Sequence, residues 1–146
     1  MYEGILVPLD QSELAEQALP HAVALAEAFG ATIHLVSVVA VQAPEAVPSA
    51  GMAAEWEEQI DRARQYMSGI RKRIMTGTKI ETEWDVCQGD VAEEILRYCV
   101  QQECELIVMS THGRSGTGRW VYGSIADRIL RRAPASVLLV RSVEED

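Results

Sequence analysis

The chain has 146 residues, 48% of them hydrophobic, and a formal net charge of −9. That length suits one domain, residues 1–146, burying about two-thirds of its unfolded surface, and no apolar run approaches the ~20 residues of a membrane-spanning helix. The acidic balance argues against a nucleic-acid binder, which carries a basic face and a high pI.

Met1-Tyr2-Glu3-Gly4 lacks the basic start of an export signal, so a cytoplasmic location is expected. Gly4-Ile5-Leu6-Val7 reads as a short central strand buried on both faces, stopped by Pro8. Asp10 or Ser12 then caps a helix with Glu13 in its first turn. Leu14, Ala18, Leu19, Ala22, Leu25, Ala26 and Phe29 recur at helical spacing, which predicts one helix ended by Gly30. Ala31 to Val39, rich in β-branched residues, predicts the second strand. Residues 42–51, with Pro44, Pro48, Ser49 and Gly51, predict a loop, and the stretch up to residue 52 is a candidate lid.

A helix is predicted from Ala53 to Met75, its inner stripe marked by Trp56, Ile60, Ala63, Met67, Ile70 and Ile74, and Gly77 ends it. Lys79 to Val86 alternates like a half-exposed strand, and Gly89-Asp90 caps a helix from Ala92 to Gln102. Leu106 to Met109 is the fourth strand. A last helix runs from near Gly123 to Arg132, closed by Ala133-Pro134, and Ser136 to Arg141 is the fifth strand. Strands alternating with helices predict an α/β domain: a doubly wound, Rossmann-like, five-stranded parallel sheet with helices on both faces. Ligands of such sheets bind beyond the carboxyl ends of the strands, where strand order reverses. Three segments should converge there: Pro8-Leu9-Asp10, Val38 to Val41, and Ser110 to Ser124.

The third segment carries the clearest chemistry. A strand runs into a loop holding Gly113, Gly116, Gly118 and Gly123, and then into a helix. Glycines let backbone approach an anion, and the unpaired N–H groups of a first helical turn point at it. Ser124 can cap that helix or donate its hydroxyl to a phosphate oxygen. The same glycines could serve turns alone. The loop is not a Walker loop, because no Gly-Lys pair occurs in the chain, and Val121 breaks the dinucleotide fingerprint begun by Gly116-Thr117-Gly118. Between Ser110 and Arg141 there are six arginines against one acid, Asp127, which suits a small anionic ligand, though most should decorate solvated surface. Cys87, Cys99 and Cys104 lack metal-site spacing and read as buried free thiols. His21 and His34 read as surface or packing residues, His112 as a loop residue within reach of phosphate. No Ser-His-Asp or Cys-His arrangement supports nucleophilic catalysis.

In these motifs and in the order of its elements, the whole chain resembles the universal stress proteins. Their nucleotide-binding members carry Gly, two residues, Gly, nine residues, Gly-Ser/Thr after the fourth strand. Here the pattern reads Ser110-Thr111-His112-Gly113, Arg114 to Tyr122, Gly123-Ser124. Val7-Pro8-Leu9-Asp10 matches the family's acidic position after the first strand, and Val38 the position whose main chain faces adenine. The resemblance implies an ATP (or ADP or AMP) site, with Mg²⁺ oriented by Asp10. Gly113, Gly116, Gly123 and Ser124 would cradle phosphates, and His112, Arg114 and Ser115 would lie near the terminal phosphate or in solvent. Asp10 would contact ribose or the metal, or act only as a helix cap. Pro8, Leu9, Met109, Ser110 and Ile125 would shape the pocket. Ser110 departs from the family's first glycine. That costs on the order of 1–2 kcal/mol if the position needs left-handed angles, and adds a hydroxyl if its backbone is ordinary. The implied function is a nucleotide-binding stress-response module with at most slow hydrolysis. The alternatives are a weak ATPase or phosphotransferase, or a ligand-free dimerisation protein. The resemblance also implies a homodimer through the apolar last strand, with the protein partner open.

Overall fold

The computed structural model describes residues 1–40, 50–111 and 124–142. Chain order is β1 (Gly4–Pro8), α1 (Glu13–Glu16), α2 (Leu19–Phe29), β2 (Thr32–Ala40), α3 (Ala50–Gly77), β3 (Thr82–Gly89), α4 (Val91–Gln101), β4 (Leu106–Ser110), α5 (Ala126–Arg132) and β5 (Ser136–Val140). The strands form one sheet ordered β3-β2-β1-β4-β5 with every neighbouring pair parallel. On one face Ile5, Val7, Ile33 and Leu35 pack with Ala15 of α1, Ala22 of α2, and Met67 and Ile70 of α3. On the other, Leu6, Val36, Ile107 and Met109 pack with Ile95 and Cys99 of α4 and Ile129 of α5. This is the doubly wound α/β architecture expected from the alternation of elements.

Several boundaries differ from the predicted ones for local reasons. The single helix expected from Leu14 to Phe29 is two helices. Pro20 has no N–H to offer the carbonyl of Glu16, so the first helix closes with tight bonds from Gln17 N to Leu14 O and Ala18 N to Ala15 O, and α2 starts anew around the proline. α3 begins earlier than expected, so residues 50–52, counted with the loop or the lid from sequence, are helical; the rest of both, residues 42–49, lies outside the described residues. The third strand begins at Thr82 rather than Lys79. The Thr78 hydroxyl donates to Ile74 O at 2.8 Å and accepts from Ile80 N at 3.1 Å, a turn that extends the end of α3. β3 then runs on to Gly89 opposite Ala40. Gly30 closes α2 with φ 68°, the left-handed conformation that suits glycine.

All three cysteines are free and buried, and burial pushes the Cys104 thiol up to about 12. His34 is also buried, edge-on to the Tyr98 ring, with Nδ1 3.6 Å from a Glu83 carboxylate oxygen. Desolvation lowers its pKa from 6.5, and the Glu83 carboxylate only partly opposes this. The fold therefore favours neutral imidazole, and the unfolded chain takes up the proton first. Stability is present in full above pH 6.5 and is lost as pH falls from there towards the folded-state value. Urea denaturation of wild type and His34→Leu at pH 7.5 and 5.5 checks this: wild type should lose more stability across that interval than the variant does.

Candidate functional site

The site forms where β1 and β4 part. Their ladder holds two pairs, Ile5–Leu106 and Leu6–Ile107, whereas β1 pairs with β2 as far as Pro8–Val36 and β4 with β5 as far as Ser110–Val140. Pro8 has no N–H with which to extend a ladder. Beyond this parting lies a hollow with about 480 Å³ of empty space, counted out into open solvent. Its walls are Pro8, Leu9 and Asp10 after β1, Val36 and Val38 of β2, Met109 and Ser110 of β4, Ala15 of α1, Val91 and Ile95 of α4, and Ile125 before α5. It occupies the topological switch point, where sheets of this kind open to ligands.

Seven residues singled out from sequence thus meet in one cavity: Pro8, Leu9, Asp10, Val38, Met109, Ser110 and Ile125. His112, Gly113, Arg114, Ser115, Gly116 and Gly123 lie outside the described residues. Ser124 is exposed and, with Ile125, winds into a wider π-turn. It does not hold the cap position expected of it. α5 begins at Ala126, and the boundary residue Ile125 already has helical angles (φ −74°, ψ −50°) with no side-chain cap bond.

Asp10 is half-buried and serves the cap without being it. Ser12 Oγ accepts from Ala15 N at 3.0 Å as the N-cap of α1, and Asp10 Oδ1 accepts from Ser12 N at 3.1 Å and Ser12 Oγ at 2.5 Å. Between them Gln11 takes φ 69°, a conformation that costs a non-glycine residue on the order of 1–2 kcal/mol. The turn holds a carboxylate at the cavity wall. Leu9 N donates to Val36 O at 2.8 Å, the last main-chain tie between these two strands' ends. Main-chain groups of a strand alternate between its neighbours: Thr32 N and Val36 O are bonded on the β1 side, Ile33 N on the β3 side. Val38 therefore turns its N–H and C=O to the β1 side, two residues past the end of the β1 ladder, into the cavity region.

Ser110 ends β4 and is buried; among the described non-glycine residues only Gln11 and Glu103 have positive φ, so its backbone is ordinary and serine costs no left-handed strain there. Its hydroxyl donates to Ser142 Oγ at 2.6 Å.

The arginines of α5 do not supply the site's positive charge. Arg128 lies 3.2 Å from Asp90 and 2.9 Å from Glu93, Arg132 also pairs with Glu93, and Arg131 lies 3.1 Å from Asp127. Arg128 and Arg132 clamp α5 to the start of α4, and hydrogen bonds from Arg132 and then Arg128 lower the Glu93 pKa. Sequence reasoning missed Ala15, Val36, Val91 and Ile95. The i, i+4 pair Val91 and Ile95, directly after the capped start of α4, was the available signal. Among the described residues no group of three His, Cys, Asp or Glu could hold a metal, and Asp10 is the one carboxylate among the described lining residues. Apolar walls, exposed main chain and one carboxylate suit holding a flat heteroaromatic ring beside a hydroxylated group.

The universal stress protein family model matches residues 1–141. A universal stress protein of Methanocaldococcus jannaschii is 30% identical over 100% of this chain and 86% of its own length, and one of Thermus aquaticus is 33% identical over 97% and 100%. The solved structure of universal stress protein UspA from Lactobacillus plantarum is 26% identical and superposes with a TM-score of 0.80 over 96% of this chain and 98% of that one. More distantly, a universal stress protein from Archaeoglobus fulgidus, solved in complex with dAMP, shares the fold at 20% identity, with a TM-score of 0.69 over 94% of this chain and 97% of that one.

Proposed function

The chain belongs to the universal stress protein family, and we propose that it is an ATP-binding regulatory module of that family, acting in the cytoplasm as one domain over residues 1–146. One observation carries this reading: both ends of the glycine-rich segment, Ser110 and Ile125, line the same switch-point cavity as Asp10 and Val38. The residues between them have the glycine spacing of a phosphate cradle. The dAMP held by the Archaeoglobus fulgidus protein is a nucleotide in the same fold.

In this reading Val38 meets adenine through its N–H and C=O, while Leu9, Val36, Met109 and Ile95 supply the apolar walls. Asp10 accepts from ribose hydroxyls. Gly113, Gly116, Gly123 and Ser124 cradle the phosphates, with His112, Arg114 and Ser115 at the outer end. Mg²⁺ would be held mainly by phosphate oxygens, with Asp10 its one carboxylate from the described walls, a ligand pattern common for this ion. Rapid phosphoryl transfer needs a cationic clamp, metal carboxylates and a group that positions the nucleophile. Of these the chain offers Asp10 and Arg114 as candidates, so bound ATP acts as a signal and turnover is slow. A homodimer forms through β5, an edge strand that pairs only with β4 and leaves Leu138 37% exposed.

Calorimetric titration with ATP and Mg²⁺, with phosphate release followed in the same samples, tests this reading. One ATP per chain with release near background is expected. Rapid release would make the protein a hydrolase, and a folded protein that ignores millimolar ATP would leave only the ligand-free dimer.

A further inference from the structure

The residue that replaces the family's first motif glycine is built into a cluster of three hydroxyls. Ser110 Oγ donates to Ser142 Oγ at 2.6 Å, Ser142 Oγ lies 3.1 Å from Thr111 Oγ1, and Ser142 N donates to Thr111 Oγ1 at 3.2 Å. Thr111 N donates to Val140 O at 2.9 Å. These four contacts join the end of β4 to Val140 at the end of β5 and to Ser142 just past it. They lie at the point where the glycine-rich segment leaves the sheet. Ser110 is 3% exposed and Ser142 8% exposed, with Thr111 half-buried beside them, and Ser110 is at once a member of the cluster and a wall of the cavity.

We propose that Ser142 is a positioning residue for the phosphate end of the nucleotide. It ties Ser110 and Thr111, and so fixes the end of β4 that the glycine-rich segment follows in sequence. This inference rests on the nucleotide-site reading above. A glycine at position 110 has no side chain with which to make such a tie, so here a hydroxyl pair supplies a constraint that the substitution makes available. A buried hydroxyl chain holds its members in one arrangement because each loses a partner if another moves.

The base end of the cavity, at Leu9, Val36 and Val38, is not touched by these bonds, and that separates positioning from general stability. ATP and adenosine affinities are measured by calorimetry on the full chain as wild type, Ser142→Ala, Ser142→Thr and Ser110→Gly. Removing one buried hydroxyl bond is expected to weaken ATP about three- to tenfold. Adenosine affinity should stay at its wild-type value, and Ser142→Thr should return ATP binding to near wild type. Ser110→Gly, which restores the motif glycine, should also weaken ATP. Equal ATP affinity in Ser142→Ala, an equal loss for ATP and adenosine, or tighter ATP binding in Ser110→Gly would each overturn the proposal. Wild type that binds no ATP would instead remove the nucleotide reading itself, and this inference with it.

Discussion

Val38→Pro is expected to weaken ATP binding by about 1–3 kcal/mol, roughly five- to 150-fold in Kd, while Val38→Ala changes it little. The contrast follows from which atoms of Val38 are used. Its N–H and C=O turn to the side where β1 has ended, and it pairs opposite Cys87 of β3 without directing those groups there. Proline removes the N–H and leaves the ligand acceptor it would have met without that partner. The β2–β3 ladder keeps its bonds, because they belong to the odd-numbered residues of β2, such as Ile33. Alanine trims a half-buried side chain and keeps both main-chain groups. The measurement is a calorimetric titration of both variants beside thermal melts, so that a folded Val38→Pro protein with unchanged affinity would remove Val38 from the site.

Ile107→Ala should be the most destabilising of the simple truncations, costing about 2–5 kcal/mol in urea denaturation. Ile107 is fully buried in β4, next to the strand that centres the sheet, and packs with Leu6, Val36, Cys99 and Ile129 from four other elements. The truncation leaves a void that rigid strands on both sides cannot fill. Against a total of about 5–15 kcal/mol for a native domain, that loss moves the whole transition. Val100→Ala is the control: Val100 is 61% exposed and should change stability by no more than about 0.5 kcal/mol. Similar midpoints for the two variants would mean that the core has been wrongly placed.

How much of this was legible in the chain depended on whether the signal was local. Gly4 to Val7 and Leu106 to Met109 read as buried parallel strands because nothing polar interrupts them, and both are central in the sheet. Asp90 was readable as a cap because a cap is a one-turn event, and its carboxylate does accept from Glu93 N. Pro20 carried the break between α1 and α2 in plain view, but the apolar spacing runs through it in phase, and periodicity alone does not register a missing donor. The start of β3 depended on its register with β2, where Ile33 meets Thr82, and pairing partners far apart in sequence leave no local trace.

The site divides in the same way. Glycine spacing and Pro8-Leu9-Asp10 marked the parts that are continuous in sequence. Val91 and Ile95 reach the cavity only because α4 packs on β2, beside the parting of β1 and β4. Ser142 could not be singled out at all: its importance lies in Ser110, 32 positions earlier, and in a 2.6 Å bond between two ordinary serines. Ser110 itself was the sharpest ambiguity, since its cost depends on a backbone angle that sequence does not carry. Its place inside β4 removes the strain, and its buried hydroxyl donates to Ser142.

The most direct test of the nucleotide-site reading is to denature freshly purified protein and identify by chromatography and mass what it releases. ATP in about one-to-one ratio with the chain is the expected result, and its survival through purification would also fit slow turnover. A folded protein that releases nothing, and still takes up no nucleotide when given millimolar ATP, would contradict it.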